Sequence, residues 1–414
     1  MTSQASPDRP GALGALRALS SAAGGGLGAL LGLLAAGQAV AVLVWAVIRV
    51  ADLATWVEAG VLTSLAAVRA EIVTTFRSLP DPGFPLPSGR TGSSLVPMTL
   101  TIVFVCLAGR TGRHAARRWH GAPALARVTV AAAGAGVSVS IGAALAATYV
   151  SLSIPGTGVT IEVDATSAAL WAGLLAGGAA ALGAFLEVSA ARASGAVIRG
   201  GVLGFVWALA LLTGWVLVVA TVEPEATRGY VDGLRDLGPA GAVLFGAHLL
   251  ALPAQSAILI VPAAGSCIDV LASGATAVRM CPWELEVSGP LAGAILPAGS
   301  IPLSPWLWGC FIIPPLAAFL GGRRASRGGV GATRIARGAL AGLVFAGFSM
   351  LGAVFSAPRI AAPLLGDQLG VEIRPWSLVA LGLLCLWGVL GGAIGGALAG
   401  RAYDESGFPR PTSA

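Results

Sequence analysis

The chain alternates between long runs without charge and short polar segments, and most of the runs approach or exceed the roughly 18–20 apolar residues that a bilayer span requires. Apolar stretches at about 24–49, 94–109, 127–151, 166–190, 200–222, 304–321, 338–357 and 376–400 each predict a membrane helix. Between the first two, Trp56, Val57, Val61, Leu62, Leu65, Val68 and Ile72 recur at helical spacing, which suits a helix lying in the membrane interface over 56–79. The prolines and glycines of PDPGFPLPSG then stop any regular element. The first apolar run exceeds the roughly 7–15-residue core of a signal peptide, so it reads as a retained helix.

One more run, 239–264, is apolar enough and long enough to cross, yet it is broken by Pro253 and carries His248 and Gln255. Charge assigns its topology. The loops RTGRHAARR and RRASRGGVGATRIAR must be cytoplasmic by the positive-inside rule. Counting helices from either loop then leaves both 223–238 and residue 303 outside, so an even number of crossings separates them. A re-entrant hairpin over 239–264, turning near Pro253, satisfies that parity, and such backbone must be buried in protein or line a water-filled cavity. The resulting cytoplasmic segments hold 16 arginines and 4 acids, against 9 arginines and 15 acids outside.

The expected fold is therefore an all-α polytopic membrane protein with about eight full spans plus one re-entrant helical hairpin. Residues 1–23 and 401–414 are cytoplasmic tails around a single membrane domain, 24–400, whose outside loops are 50–93, 223–238 and 266–303. The expected location is the plasma membrane, with both termini cytoplasmic. The hairpins from Arg127 to Arg192 and from Arg337 to Arg401 match in length at an offset of about 210 residues, each preceded by a hairpin with a long outside insertion. That pattern suggests a parallel four-plus-four repeat with a pseudo-axis along the membrane normal.

Composition agrees: 56% of residues are hydrophobic and 11% charged, against about 25% charged in soluble domains. All 25 basic residues are arginine, which excludes a Walker A lysine and a lysine Schiff base. The net charge of +6 reads as a topology signal, so the bilayer, and not nucleic acid, is the expected partner. Glycines at spacing four, among them Gly173/Gly177, Gly338/Gly342 and Gly392/Gly396/Gly400, predict close helix packing. Trp45, Trp56, Trp306, Trp308 and Trp376 fall near predicted interfaces.

Chemistry is sparse. There is no HExxH, CxxC or G-x-S-x-G, and His114 and His120 sit in an arginine loop. No catalytic residue, metal or cofactor is expected, and the chain reads as a non-enzyme. Carboxylates are almost absent from span interiors, with Glu187 the nearest case, which argues against ion-coupled transport. His248, Pro253 and Gln255, at the hairpin, and Gln38, midway along the first helix, are the candidate pathway residues. Cys106, Cys310 and Cys385 lie in apolar helices, whereas Cys267 and Cys281 lie in the outside loop 266–303. If bonded, the latter pair closes a loop of about 15 residues, worth about 3 kcal/mol in the chain-entropy model. With Asp269, Glu284, Glu286 and Trp283 the loop reads as an acidic cap: a partner-binding face, a stabilised lid, or a segment with two unpaired thiols.

At HLLALPAQSAILIVPAAGSC the chain resembles the streptophobe family, hydrophobic actinobacterial membrane proteins without an assigned activity. The resemblance rests on His248, Leu252, Pro253, Gln255, Val261, Pro262 and Cys267, with Ala254 where that family commonly carries asparagine. A weaker similarity is to PerM-like cell-division membrane proteins. Neither implies catalytic residues. The expected function is a non-enzymatic envelope or cell-division accessory that binds other envelope membrane proteins through 266–303; the alternative is a channel or permease with the 239–264 hairpin lining its pathway.

Overall fold

A computed structural model describes residues 12–48, 53–76, 89–94, 96–154, 159–189, 192–223, 228, 231–233, 235–236, 239–272, 275–288, 299–302, 305–327, 329–365, 367–375 and 377–399. Both tail ends, most of PDPGFPLPSG, Trp376 and part of 223–238 lie outside these residues. The chain forms two compact units: residues 1–190 with 242–250 and 360–367, and residues 191–241, 251–359 and 368–414.

In the first unit, α1 (Ala12–Ile48) is followed by α2 (Leu53–Ala67), strands β1 (Ile72–Phe76) and β2 (Gly89–Ser94), α3 (Met98–Arg118), α4 (Ala124–Thr148), the strand pair β3 (Ser151–Ile154) and β4 (Val159–Val163), and α5 (Ala165–Val188). Helices α1, α3, α4 and α5 form the bundle. At 37 residues, α1 is about 55 Å long, well beyond the roughly 30 Å hydrocarbon core. Its excess length carries α2, which folds back against it. The strands are antiparallel in the order β3-β4-β1-β2. They and the arginines of α3 lie at opposite ends of the bundle, because β3 and β4 join α4 to α5 while Arg117 and Arg118 close α3.

In the second unit, α6 (Ala193–Val222) precedes α7 (Pro239–Ala263), strands β5 (Ile268–Ala272), β6 (Ala275–Met280), β7 (Glu284–Val287) and β8 (Gly299–Pro302), a 3-10 segment (Pro305–Ile312) running into α8 (Ile313–Ala325), and α9 (Ala332–Ser356). Strands β9 (Arg359–Leu365) and β10 (Asp367–Arg374) then lead to α10 (Leu378–Leu398). Helices α6, α8, α9 and α10 form this bundle, and the strand order is β10-β5-β6-β7-β8. Most of β9 clusters with the first unit.

The packing is inverted relative to a protein folded in water. Along α4 the buried positions are Ala131, Gly134, Ala135, Val139, Ala143 and Ala147, while Val137, Ile141 and Leu145 are more than half exposed. Small residues face inward and large apolar residues outward, as expected where lipid is the solvent and close backbone approach holds helices together. Gly342 meets Gly388, and Gly338 meets Gly392, so closely that a methyl on any of them would run into the partner backbone. Gly112 and Gly183 lie as closely against the backbones of Ala180 and Gly109.

Seven described helices are long and apolar enough to cross a membrane: α1, α4, α5, α6, α7, α9 and α10. The protein is an all-α polytopic membrane protein, its helices joined by short antiparallel strands. The strands were not expected. Residues 159–163 form β4, the 266–303 loop contains β5 to β8, and within the 56–79 segment α2 runs to Ala67 and β1 spans Ile72–Phe76.

The expected hairpin within 239–264 is corrected. The segment is one continuous helix, α7, with Pro253 and Pro262 inside it. Proline lacks the donor that would meet the carbonyl four residues earlier and kinks a helix, but it does not force a reversal. Residues 242–250 cluster with the first unit, where Thr99 Oγ1 donates to the Leu250 carbonyl at 2.9 Å, and residues 251–263 with the second.

Candidate functional site

Since α7 is continuous, there is no hairpin tip for His248, Pro253 and Gln255 to form. His248 and Gln255 lie two turns apart, about 10 Å along one helix face, and both are half-buried. Gln38 is drawn into a structural bond: its Nε2 donates to the Val57 carbonyl at 2.7 Å. Glycine at position 60 leaves room for that side chain. Ser64 of α2 reaches the same helix pair, its hydroxyl lying 3.1 Å from Leu33 O of α1 and 2.8 Å from Gly60 O of its own helix. Gln38 therefore locks α1 to α2.

A polar pair that apolar periodicity did not reveal lies next to Gln255. Ser256 is 1% exposed and shares a 2.8 Å hydroxyl bond with Thr213 of α6. One position on, Ala257 packs near Gly352 of α9. The end of α7 is held at the N-terminal end of α10: Trp387 Nε1 donates to the Ala264 carbonyl at 3.1 Å, and Ser266 Oγ lies 3.5 Å from Ser377 Oγ, itself the cap that accepts from Ala380 N.

From that point the strand group begins. Cys267 and Cys281 are bonded, with an S–S distance of 2.05 Å. The bridge joins the residue before β5 to the residue after β6, closing the open end of that hairpin. Asp269 and Arg279 face each other in the register and form an ion pair at 2.8 Å. The Asp269 carboxylate holds the Arg279 guanidinium above its ordinary pKa, chiefly through the hydrogen bond. Glu284 accepts from Ser300 Oγ at 2.8 Å, while Glu286 is exposed. Trp283, in the turn after Cys281, is 48% exposed on a backbone fixed by the disulfide and by the Cys281 N to Glu284 O bond. The residues expected to form an acidic cap are thus brought together, although Asp269 is neutralised within it.

At the other end of the first unit, Glu187 pairs with Arg117 through both carboxylate oxygens, at 2.8 and 3.0 Å. Among the described residues no three His, Cys, Asp or Glu side chains are grouped to hold a metal ion.

The fold and these sites define the chain as a multispanning helical membrane protein with structured strand groups at the helix ends. No family model, curated protein or solved structure matches it.

Proposed function

We propose that this is a non-enzymatic accessory protein of the plasma membrane that binds another envelope membrane protein through β5 to β8. The observation that carries the reading is the disulfide-tied strand group presenting Trp283 and Glu286. A rigid exposed aromatic beside an acidic residue suits an interface anchor. The proposed sidedness places this group outside, where disulfides persist, and both termini inside, by the positive-inside rule. The streptophobe resemblance belongs to the same proposal and supplies no activity of its own.

The crossings follow from an internal duplication, which we also propose. After α2, Val68 N and Ala70 N bond Leu65 O, and Arg69 N bonds Ala66 O; after α7, Ala264 N and Ser266 N bond Val261 O, and Gly265 N bonds Pro262 O. The residues in the positive-φ position, Arg69 at 65° and Gly265 at 97°, are each followed three positions later by a strand. Strand order β4-β1-β2 corresponds to β10-β5-β6. On this reading α7 is the counterpart of α2, a helix returning to the strand end without crossing, and the eight proposed crossings are the six other helices long and apolar enough together with α3 and α8. Even parity is kept without a hairpin. The pore reading loses the hairpin on which it rested.

A photo-crosslinking residue placed at 283 in intact cells tests the binding function. A protein-sized adduct that disappears in Cys267→Ser/Cys281→Ser is expected. Adducts to lipid alone would refute partner binding.

A further inference from the structure

The arginine ends of the two units differ in one respect that bears on ligands. In the first unit the arginine-rich end of α3 meets one carboxylate, Glu187 of α5, which takes two hydrogen bonds from Arg117. The anion this cluster calls for is supplied by the chain itself.

In the second unit four helix termini meet at the equivalent end. Gly200 of α6 packs on Gly321 and Ala325 of α8; Gly395 of α10 packs on Phe319 and Arg323; and Gly396 packs on the Arg334 backbone of α9. Ser326 Oγ donates to Arg334 O at 2.7 Å, and Arg334 Nε donates to Gly329 O. The Arg337 guanidinium lies against the same glycine. This construction gathers Arg323, Arg324, Arg327, Arg334 and Arg337, the first three exposed. Helices α6, α8, α9 and α10 contain no aspartate or glutamate. Backbone carbonyls take up Arg334 but bring no charge. Among the described residues, the cluster has no internal anion comparable to Glu187.

We propose that this end of the second unit binds the phosphate headgroup of an anionic phospholipid, with Arg323, Arg324 and Arg327 as its ligands. The occupant follows from position. The cluster closes helices whose sides are lipid-facing leucines and valines, Leu340 and Leu343 among them, so the nearest abundant anion is a membrane phosphate. Guanidinium groups match phosphate geometry in a bidentate way. The inference rests on the membrane class of the protein and not on partner binding at β5 to β8.

The test uses the full chain released from nanodiscs containing equal phosphatidylglycerol and phosphatidylcholine, with retained lipid counted by native mass spectrometry. Phosphatidylglycerol should be enriched. Each of Arg323→Gln, Arg324→Gln and Arg327→Gln should lower the enrichment about fivefold, the fold-change equivalent to about 1 kcal/mol per arginine. Glu187→Gln should raise it, by freeing the arginines of the first unit. Equal retention of both lipids, or enrichment unchanged in the triple variant, would overturn the proposal. So would displacement by millimolar inorganic phosphate, which would mark a free-anion site. A rise seen only in Asp404→Asn/Glu405→Gln, with none in the parent, would overturn it as well, the tail carboxylates taking the arginines in place of lipid.

Discussion

At the residue scale, small polar side chains replace the hydrophobic effect as the specific cement. Thr101 donates to Ala67 O from inside the first bundle, Ser140 donates to Ala169 O at 2.9 Å, and the Thr213 and Ser256 hydroxyls are hydrogen-bonded to each other. A double-mutant cycle on Thr213→Val and Ser256→Ala should return a coupling near 0.6 kcal/mol and no more than about 1.7, the range for such bonds in membranes. A coupling near zero would show the pair to be incidental. Glu372 provides a pH handle outside the spans. Burial raises its pKa, but Arg359 at 2.8 Å and Arg374 at 3.5 Å overcome that and hold it below the ordinary carboxylate range. A depressed folded pKa stabilises above the unfolded value and is lost as pH falls through the folded one. Hydrogen-exchange protection at 371–374 should therefore decline on acidification below about pH 4, and Glu372→Gln should remove that dependence.

At the element scale, glycine decides which helices can touch. Gly388 has the Gly342 backbone directly against it, whereas Gly382, on the same helix, has open space. Gly388→Leu should force α9 from α10 at a cost of at least about 1–3 kcal/mol, seen as a lower melting temperature in detergent, while Gly382→Leu should be tolerated. The strand elements depend on the disulfide. Cys267→Ser/Cys281→Ser should cost about 3 kcal/mol by loop-closure entropy, and exchange should rise in β5 and β6 but not in α9. Rises of similar size in both would mean that the bond supports the whole unit.

At the scale of the molecule, proposed sidedness is the property to measure. A membrane-impermeant thiol reagent on intact cells should label Cys267 and Cys281 only after reduction. Labelling that requires an opened membrane would put β5 to β8 inside and make α7 a crossing, as its length and composition allow.

The sequence by itself determined the class. Runs of uncharged residues must either enter lipid or aggregate, and arginines must stay at their ends, so helices and approximate boundaries were legible for α1, α4, α5, α6, α9 and α10. Spacing-four glycines were legible too, because only glycine permits backbone contact of the kind found at Gly342 and Gly388. What only the tertiary structure decided were features fixed by partners distant in the chain. Pro253 reads as a break when local hydrogen bonding is all that counts, yet the helix continues through it. The short strands carry little periodicity of their own, and some are completed by partners distant in the chain, as Ile72 is by Val163 and Asp269 by Arg374. Gln38, polar in an apolar run, resembled a pathway residue until its bond to Val57 appeared. A side chain's role in lipid depends on which backbone group it satisfies, and that group is chosen by the fold.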